Sequence, residues 1–216
     1  MTEVDQVKPD FSFQQNADTG LVVAQKTPDG KGVIIGQVNA QYLVAIQLLA
    51  GVATGGGGVG EQDLVIGIGS AQISHTIDNP FTAGERMTMI SGVLREEGIV
   101  GRCDYIIPIP DLWNNALWVN HVKSLTPHFD IAYTGNQLAQ RLFREGGVEV
   151  RVTPLFDRIK YSGTEIRKRM LKGDDWESLV PRATIRVVEG IKGVERLRDI
   201  SKSERITYLE PGDTSP

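Results

Sequence analysis

The stretch DLVIGIGSAQISHTIDNPFTAGER, residues 63–86, decides how this chain is read. Its opening, Asp63–Gly69, is short, apolar and not strictly alternating, the pattern of a strand covered on both faces. Its end starts a helix: Thr82-Ala83-Gly84-Glu85 puts a hydroxyl at the cap and a glutamate three residues on, so each can satisfy a free amide of the first turn. A buried strand, a polar connection and a capped helix form the repeating unit of an α/β protein.

The same alternation extends to both sides. Strands are expected at Gly32–Ile35, Asp63–Gly69, Arg102–Pro108, Asp130–Thr134 and Val148–Val152, and helices at Ala40–Ala50, Ala83–Glu97, Ala116–Leu125 and Gln137–Glu145. This order predicts a Rossmann-like, doubly wound parallel sheet whose ligands bind beyond the carboxyl ends of its strands. Ser162-Gly163-Thr164-Glu165 repeats the capping pattern, and Trp176 to Ile200 reads as C-terminal helices broken near Val180-Pro181 and at Gly190 and Gly193. Residues 1–30 form an N-terminal extension, read as a hairpin of Phe11 and Phe13 against Leu21–Val23. Residues 31–201 form the main domain, and 202–216 a mobile polar tail.

Bulk properties narrow the function. The 216 residues carry a formal net charge of −4, which lacks the basic footprint of a general nucleic-acid binder, so no nucleic acid is expected as a partner. A single cysteine, Cys103, excludes an intrachain disulfide framework, fits a reducing compartment and reads as a small buried apolar residue. No apolar run approaches membrane-spanning length, and the start of the chain lacks a signal pattern, so a soluble cytoplasmic protein with no membrane partner is expected. The run Thr54-Gly55-Gly56-Gly57-Gly58-Val59-Gly60 invites a phosphate-loop reading, but Glu61 follows where a Walker loop needs lysine and a hydroxyl, leaving a flexible connection.

The particular residues go beyond sheet grammar. Gly67-Ile68-Gly69-Ser70-Ala71-Gln72, Ser74-His75-Thr76 and Asn79-Pro80-Phe81-Thr82-Ala83-Gly84-Glu85-Arg86 occur in order with Asn115-Ala116-Leu117-Trp118-Val119, Arg141-Leu142-Phe143 and Ser162-Gly163-Thr164-Glu165-Ile166-Arg167. Together they resemble the archaeal-type nicotinamide-nucleotide adenylyltransferases, within the nucleotidyltransferase superfamily, over roughly Lys31 to Ser201. The resemblance implies a nucleotidyltransferase-like domain at 31–201 and a transfer in which nicotinamide mononucleotide attacks ATP, giving NAD and pyrophosphate. It also implies magnesium with the ATP and a homo-oligomer.

The resemblance assigns catalytic roles to Arg167, Ser162 and Thr164, which would meet the ATP phosphates with a helix N-terminus and a guanidinium fork. The substrate-binding set comprises Gly36, Gly67, Gly69, Ser70, Asn79, Arg86, Trp118, Asn136 and Arg141. Trp118 is similar to the aromatic that stacks on the nicotinamide ring, the other reading being a core tryptophan; Asn136 and Arg141 reach the ATP side or are structural and surface polar residues. No residue is assigned to bind metal directly.

The family's first strand runs into a G-R-F-Q-P-x-H-x-G-H stretch, and here this chain departs from it. Aligned from Gly36, it carries Gln37, Val38, Asn39 and Ala40, then Tyr42 for the first histidine, Val44 for the glycine and Ala45 for the second histidine. A tyrosine hydroxyl is a neutral donor and a methyl donates nothing, so weakened turnover is expected. The alternative is an impaired family member that binds NAD or a mononucleotide without transfer. Of the remaining histidines, His75 lies in the loop after the second strand, His121 shares a helix with Trp118, and His128 reads as a surface residue.

Overall fold

A computed structural model of the protein describes residues 22–23, 32–37, 64–96, 103–152 and 158–207. The strands are β1 (Val22–Val23), β2 (Gly32–Gln37), β3 (Leu64–Gly69), β4 (Cys103–Pro108), β5 (Ile131–Thr134) and β6 (Glu149–Arg151). The helices are α1 (Ala83–Glu96), α2 (Asn115–Leu125), α3 (Gln137–Glu145), α4 (Arg158–Tyr161), α5 (Gly163–Lys172), α6 (Arg182–Gly190) and α7 (Gly193–Thr207), with a 3-10 turn at Glu177–Leu179.

The parallel strands lie in the order β6-β5-β2-β3-β4. The chain therefore moves outward from β2 through β3 to β4, then returns to β2's other side as β5, so the order reverses between β2 and β5. A reversal of this kind opens a crevice at the carboxyl ends of the two strands, because their following connections leave on opposite faces. The expected doubly wound sheet is present, with one addition: Val22 and Val23 pair antiparallel with Thr134 and Tyr133. Within the described residues the N-terminal segment thus joins β5; the expected partner strand at Phe11 and Phe13, like the helix at Ala40–Ala50, lies outside them.

Each sheet face has its own core. Val65 packs with Val119 and Val122 of α2, Phe143 of α3, Phe129 and Ala132. Ile66 and Ile68 are also fully buried and alternate with Val65 along β3, so they serve the opposite face. A second cluster joins Met89 of α1 to Ile166 and Met170 of α5, Trp176, Leu179, Val188 of α6 and Leu197 of α7. Helices α1 and α6 approach closely at Gly92, where an added Cβ would stand 2.8 Å from the Ala183 Cβ.

Local chemistry sets the helix ends. Both arms of the first capping box are closed: the Thr82 amide donates to Glu85 Oε2 at 2.8 Å and the Glu85 amide to Thr82 Oγ1 at 3.2 Å. In the second, the Ser162 hydroxyl accepts from the Glu165 amide at 2.9 Å, but the Glu165 carboxylate takes Arg169 and Lys168 instead. Asn114 caps α2 and Asn136 caps α3. Gly173 ends α5 with φ of 79°, a left-handed conformation that glycine adopts without steric cost. Helix α7 continues through Thr207, so residues 202–207 of the expected polar tail at 202–216 are helical and the rest of that tail lies outside the described residues. The polar surface of α7 is held by side-chain pairs one turn apart, such as Lys202 with Asp199 at 3.1 Å.

Candidate active site

The crevice is built from strand ends. Across β2 and β3, Gly36 stands opposite Ile68 and Gln37 opposite Gly69, which brings Gly36, Gly67 and Gly69 to one edge. The chain then turns sharply at Ser70, whose φ of 44° is left-handed. Two anchors hold that turn. The Ser70 hydroxyl donates to Asp111 Oδ2 in the loop after β4, and Gln72 brackets the same residue, its Oε1 accepting from the Asp111 amide at 2.9 Å. The second anchor is Arg86.

Arg86 is only 3% exposed. Its two terminal nitrogens donate to the carbonyls of Gly69 and Ser70, each at 2.9 Å, and its Nε reaches the Thr82 carbonyl at 3.4 Å. Expected among the substrate-binding residues, it fastens the end of β3 to the start of α1. These bonds fix the shape of the strand end.

On the other flank, Thr134 ends β5 fully buried, its hydroxyl accepting from the Asn136 amide at 3.0 Å while Asn136 caps α3. Asn136 therefore stands at the switch point with its side-chain oxygen already engaged. The Arg141 side chain is 77% exposed and pairs with Glu145 one turn on. Trp118 takes the core reading for at least one ring edge, meeting Phe143 at a centroid distance of 5.2 Å in a T-shaped contact.

The three residues expected to meet phosphate lie at the start of α5. Ser162 is spent as the cap, while the exposed Thr164 and the buried Arg167 lie on the first turns of the helix. Arg167 Nη2 donates to Asp78 Oδ1 at 3.2 Å and to Thr164 Oγ1 at 3.4 Å. Burial pushes the Arg167 guanidinium below its ordinary pKa, and Asp78 opposes that shift by stabilising the charge. Asn79 neighbours this pair in the turn that presents Asp78, its amide donating to Thr76 Oγ1 at 3.0 Å.

Sequence reasoning missed Asp78, Asp111 and Gln72. Each acts through a partner distant along the chain, which no local periodicity marks. It also passed over Trp113, 95% exposed in the loop after β4. Of the histidines, His75 meets Ser74, His121 meets the Pro110 carbonyl at 2.9 Å, and His128 pairs with Asp130 on the surface. Tyr42, Val44, Ala45 and the Gly-rich run lie outside the described residues, as does the Cys103 side chain. Among the described residues no cluster of three or more His, Cys, Asp or Glu side chains could hold a metal ion, and no helix is long and apolar enough to cross a membrane.

Comparison with known proteins adds an independent line. Residues 58–169 match the cytidylyltransferase-like family. The chain is 56% identical over 142 residues to a nicotinamide-nucleotide adenylyltransferase of Methanothrix thermoacetophila, covering 66% of this chain and 82% of that one. It is 51% identical over 143 residues to the protein of the same name from Archaeoglobus fulgidus, covering 64% and 82%. Among solved structures, it is similar to a bifunctional NMN adenylyltransferase/ADP ribose pyrophosphatase of Francisella tularensis, complexed with AMP and a Mn ion, at a TM-score of 0.50 and 16% identity. That likeness covers 68% of this chain but 47% of the other, so the chain spans less than half the bifunctional protein, and the likeness speaks to the fold alone.

Proposed function

Because this chain belongs to the cytidylyltransferase-like family, and within it to the nicotinamide-nucleotide adenylyltransferases, we propose that it joins nicotinamide mononucleotide to ATP, forming NAD and pyrophosphate. The observation that carries this reading is the 56% identity sustained over 82% of an archaeal relative of that name. A phosphate oxygen of the mononucleotide attacks the α-phosphorus of ATP, the bond to the bridging oxygen breaks, and pyrophosphate leaves with the electron pair. No covalent intermediate on the protein is required.

The chain's part is to position two anions and to neutralise the charge that develops. Gly36, Gly67 and Gly69 offer strand ends without side chains, so a nucleotide can approach the backbone. Asn79, Asn136 and the turn at Ser70 edge the same crevice. Arg167 and Thr164 meet the ATP phosphates at the start of α5, while Ser162 holds that helix end in place. Trp118, half-buried on Phe143, is a rigid apolar wall for the nicotinamide ring. Magnesium is commonly held by one or two carboxylates together with substrate phosphates, so it needs no carboxylate cage from the protein. When bound with ATP it would share the triphosphate's negative charge. We assign the protein to the cytoplasm, in keeping with the reaction's soluble substrates, and the family resemblance is what supports a homo-oligomer.

The test is direct. Purified protein incubated with ATP, magnesium and nicotinamide mononucleotide should form NAD and pyrophosphate in equal amounts. NAD binding detected by calorimetry with no product above background would replace the enzyme by a nucleotide-binding module.

A further inference from the structure

The pair formed by Arg167 and Asp78 is unequal. The arginine side chain is 11% exposed and the aspartate side chain 85% exposed, although they meet at 3.2 Å. A buried guanidinium needs an anion beside it, because charge removed from water is costly unless paired. An exposed carboxylate loses little by leaving, since water solvates it at once and such surface pairs are weak. The two ends of this ion pair therefore have different alternatives.

Asp78 does not arrive by chance. It sits in the turn spanning residues 76–79, which is closed twice: the Thr76 amide donates to the Asn79 carbonyl at 3.3 Å and the Asn79 amide to Thr76 Oγ1 at 3.0 Å. That turn lies in the loop between β3 and α1, whereas Arg167 and Thr164 belong to α5. The carboxylate thus bridges two elements at the place proposed for the ATP phosphates, and its oxygens offer a guanidinium the same acceptor chemistry as phosphate oxygens do.

We propose that Asp78 is a resident counter-anion for Arg167, holding the guanidinium in place until a nucleotide phosphate displaces it, and thereby lowering the site's affinity for that phosphate. The inference rests on Arg167 being the phosphate-binding residue. Asp78 acts on binding through Arg167 and takes no part in bond-making.

The test uses the full chain with magnesium-free inorganic pyrophosphate as the probe, in the presence of a chelator at fixed ionic strength. Asp78→Asn, nearly isosteric at an exposed position, should bind pyrophosphate roughly three- to tenfold more tightly, as expected from removing one like charge near an anion. In the transfer assay its KM for ATP should fall while that for the mononucleotide stays unchanged, and Asp78→Glu should restore wild-type affinity. A purely structural role would not produce that charge-dependent split. Unchanged or weaker pyrophosphate binding by Asp78→Asn overturns the proposal. If Arg167→Gln loses pyrophosphate while Asp78→Asn changes nothing, only the counter-anion falls and the phosphate reading stands. If Arg167→Gln binds as tightly as wild type, both fall.

Discussion

Arg86 carries a charge into a place almost sealed from water and spends it on two backbone carbonyls at the end of β3. Hydrogen bonds from charged donors contribute about 1.5–3 kcal/mol, and stranding a buried acceptor adds a desolvation cost. Arg86→Met should therefore destabilise the protein by about 3 kcal/mol in urea unfolding, and should raise the KM for the mononucleotide by loosening the turn at Ser70. Arg86→Lys should recover only part of either loss, since one ammonium cannot span two carbonyls as the fork does. The stretch around Arg86 was legible as a motif, but the residue's job was not. Sequence marks an arginine in the first turn of a helix; only the fold shows that its guanidinium reaches back to the backbone at the end of β3.

At the scale of elements, the two capping boxes show what a pattern can and cannot tell. Both were legible from a hydroxyl and a glutamate three residues apart, yet they are used differently. Glu165 turns to cations of its own helix, whereas Glu85 closes the box and also takes both terminal nitrogens of Arg196 from α7, at 2.7 and 2.8 Å. The Arg196 hydrogen bond is the largest cause holding the Glu85 carboxyl below the usual carboxylate range. A carboxyl depressed on folding stabilises fully above its unfolded pKa, near 4.3, and that stability is lost as pH falls through the lower folded value. Glu85→Gln should cost about 2 kcal/mol at pH 7 and flatten the acid limb of a stability–pH profile. Chemical denaturation at a series of pH values measures both. Strand and helix positions were legible because apolar runs and caps are local; the union of α1 with α7 was not, because nothing in either helix names its partner.

For the whole molecule, alternation of strands and helices sufficed to read a doubly wound sheet, and the strand bounds fall close to those observed. What composition obscured lies at the ends: β1 joins the sheet against β5, and α7 runs past the point where polarity alone suggested a tail. The strand order has a further consequence, for the history of the chain rather than its final shape. Ile34 in β2 pairs with Ile66 in β3 but also with Tyr133 in β5, so the central strand waits for a partner from the far half of the sequence. Pairings so remote are slow to form, because the intervening loop must close before any contact rewards it. A nascent chain stopped at residue 128 would present β2 with one backbone edge unpaired, an invitation to other unfinished copies. Refolding from urea should accordingly lose yield as protein concentration rises, whereas chains allowed to dock β5 before concentration should stay in solution. Light scattering during interrupted refolding reads the difference. The reversal between β2 and β5 thus leaves the middle of the sheet open until a strand from the far half of the chain arrives.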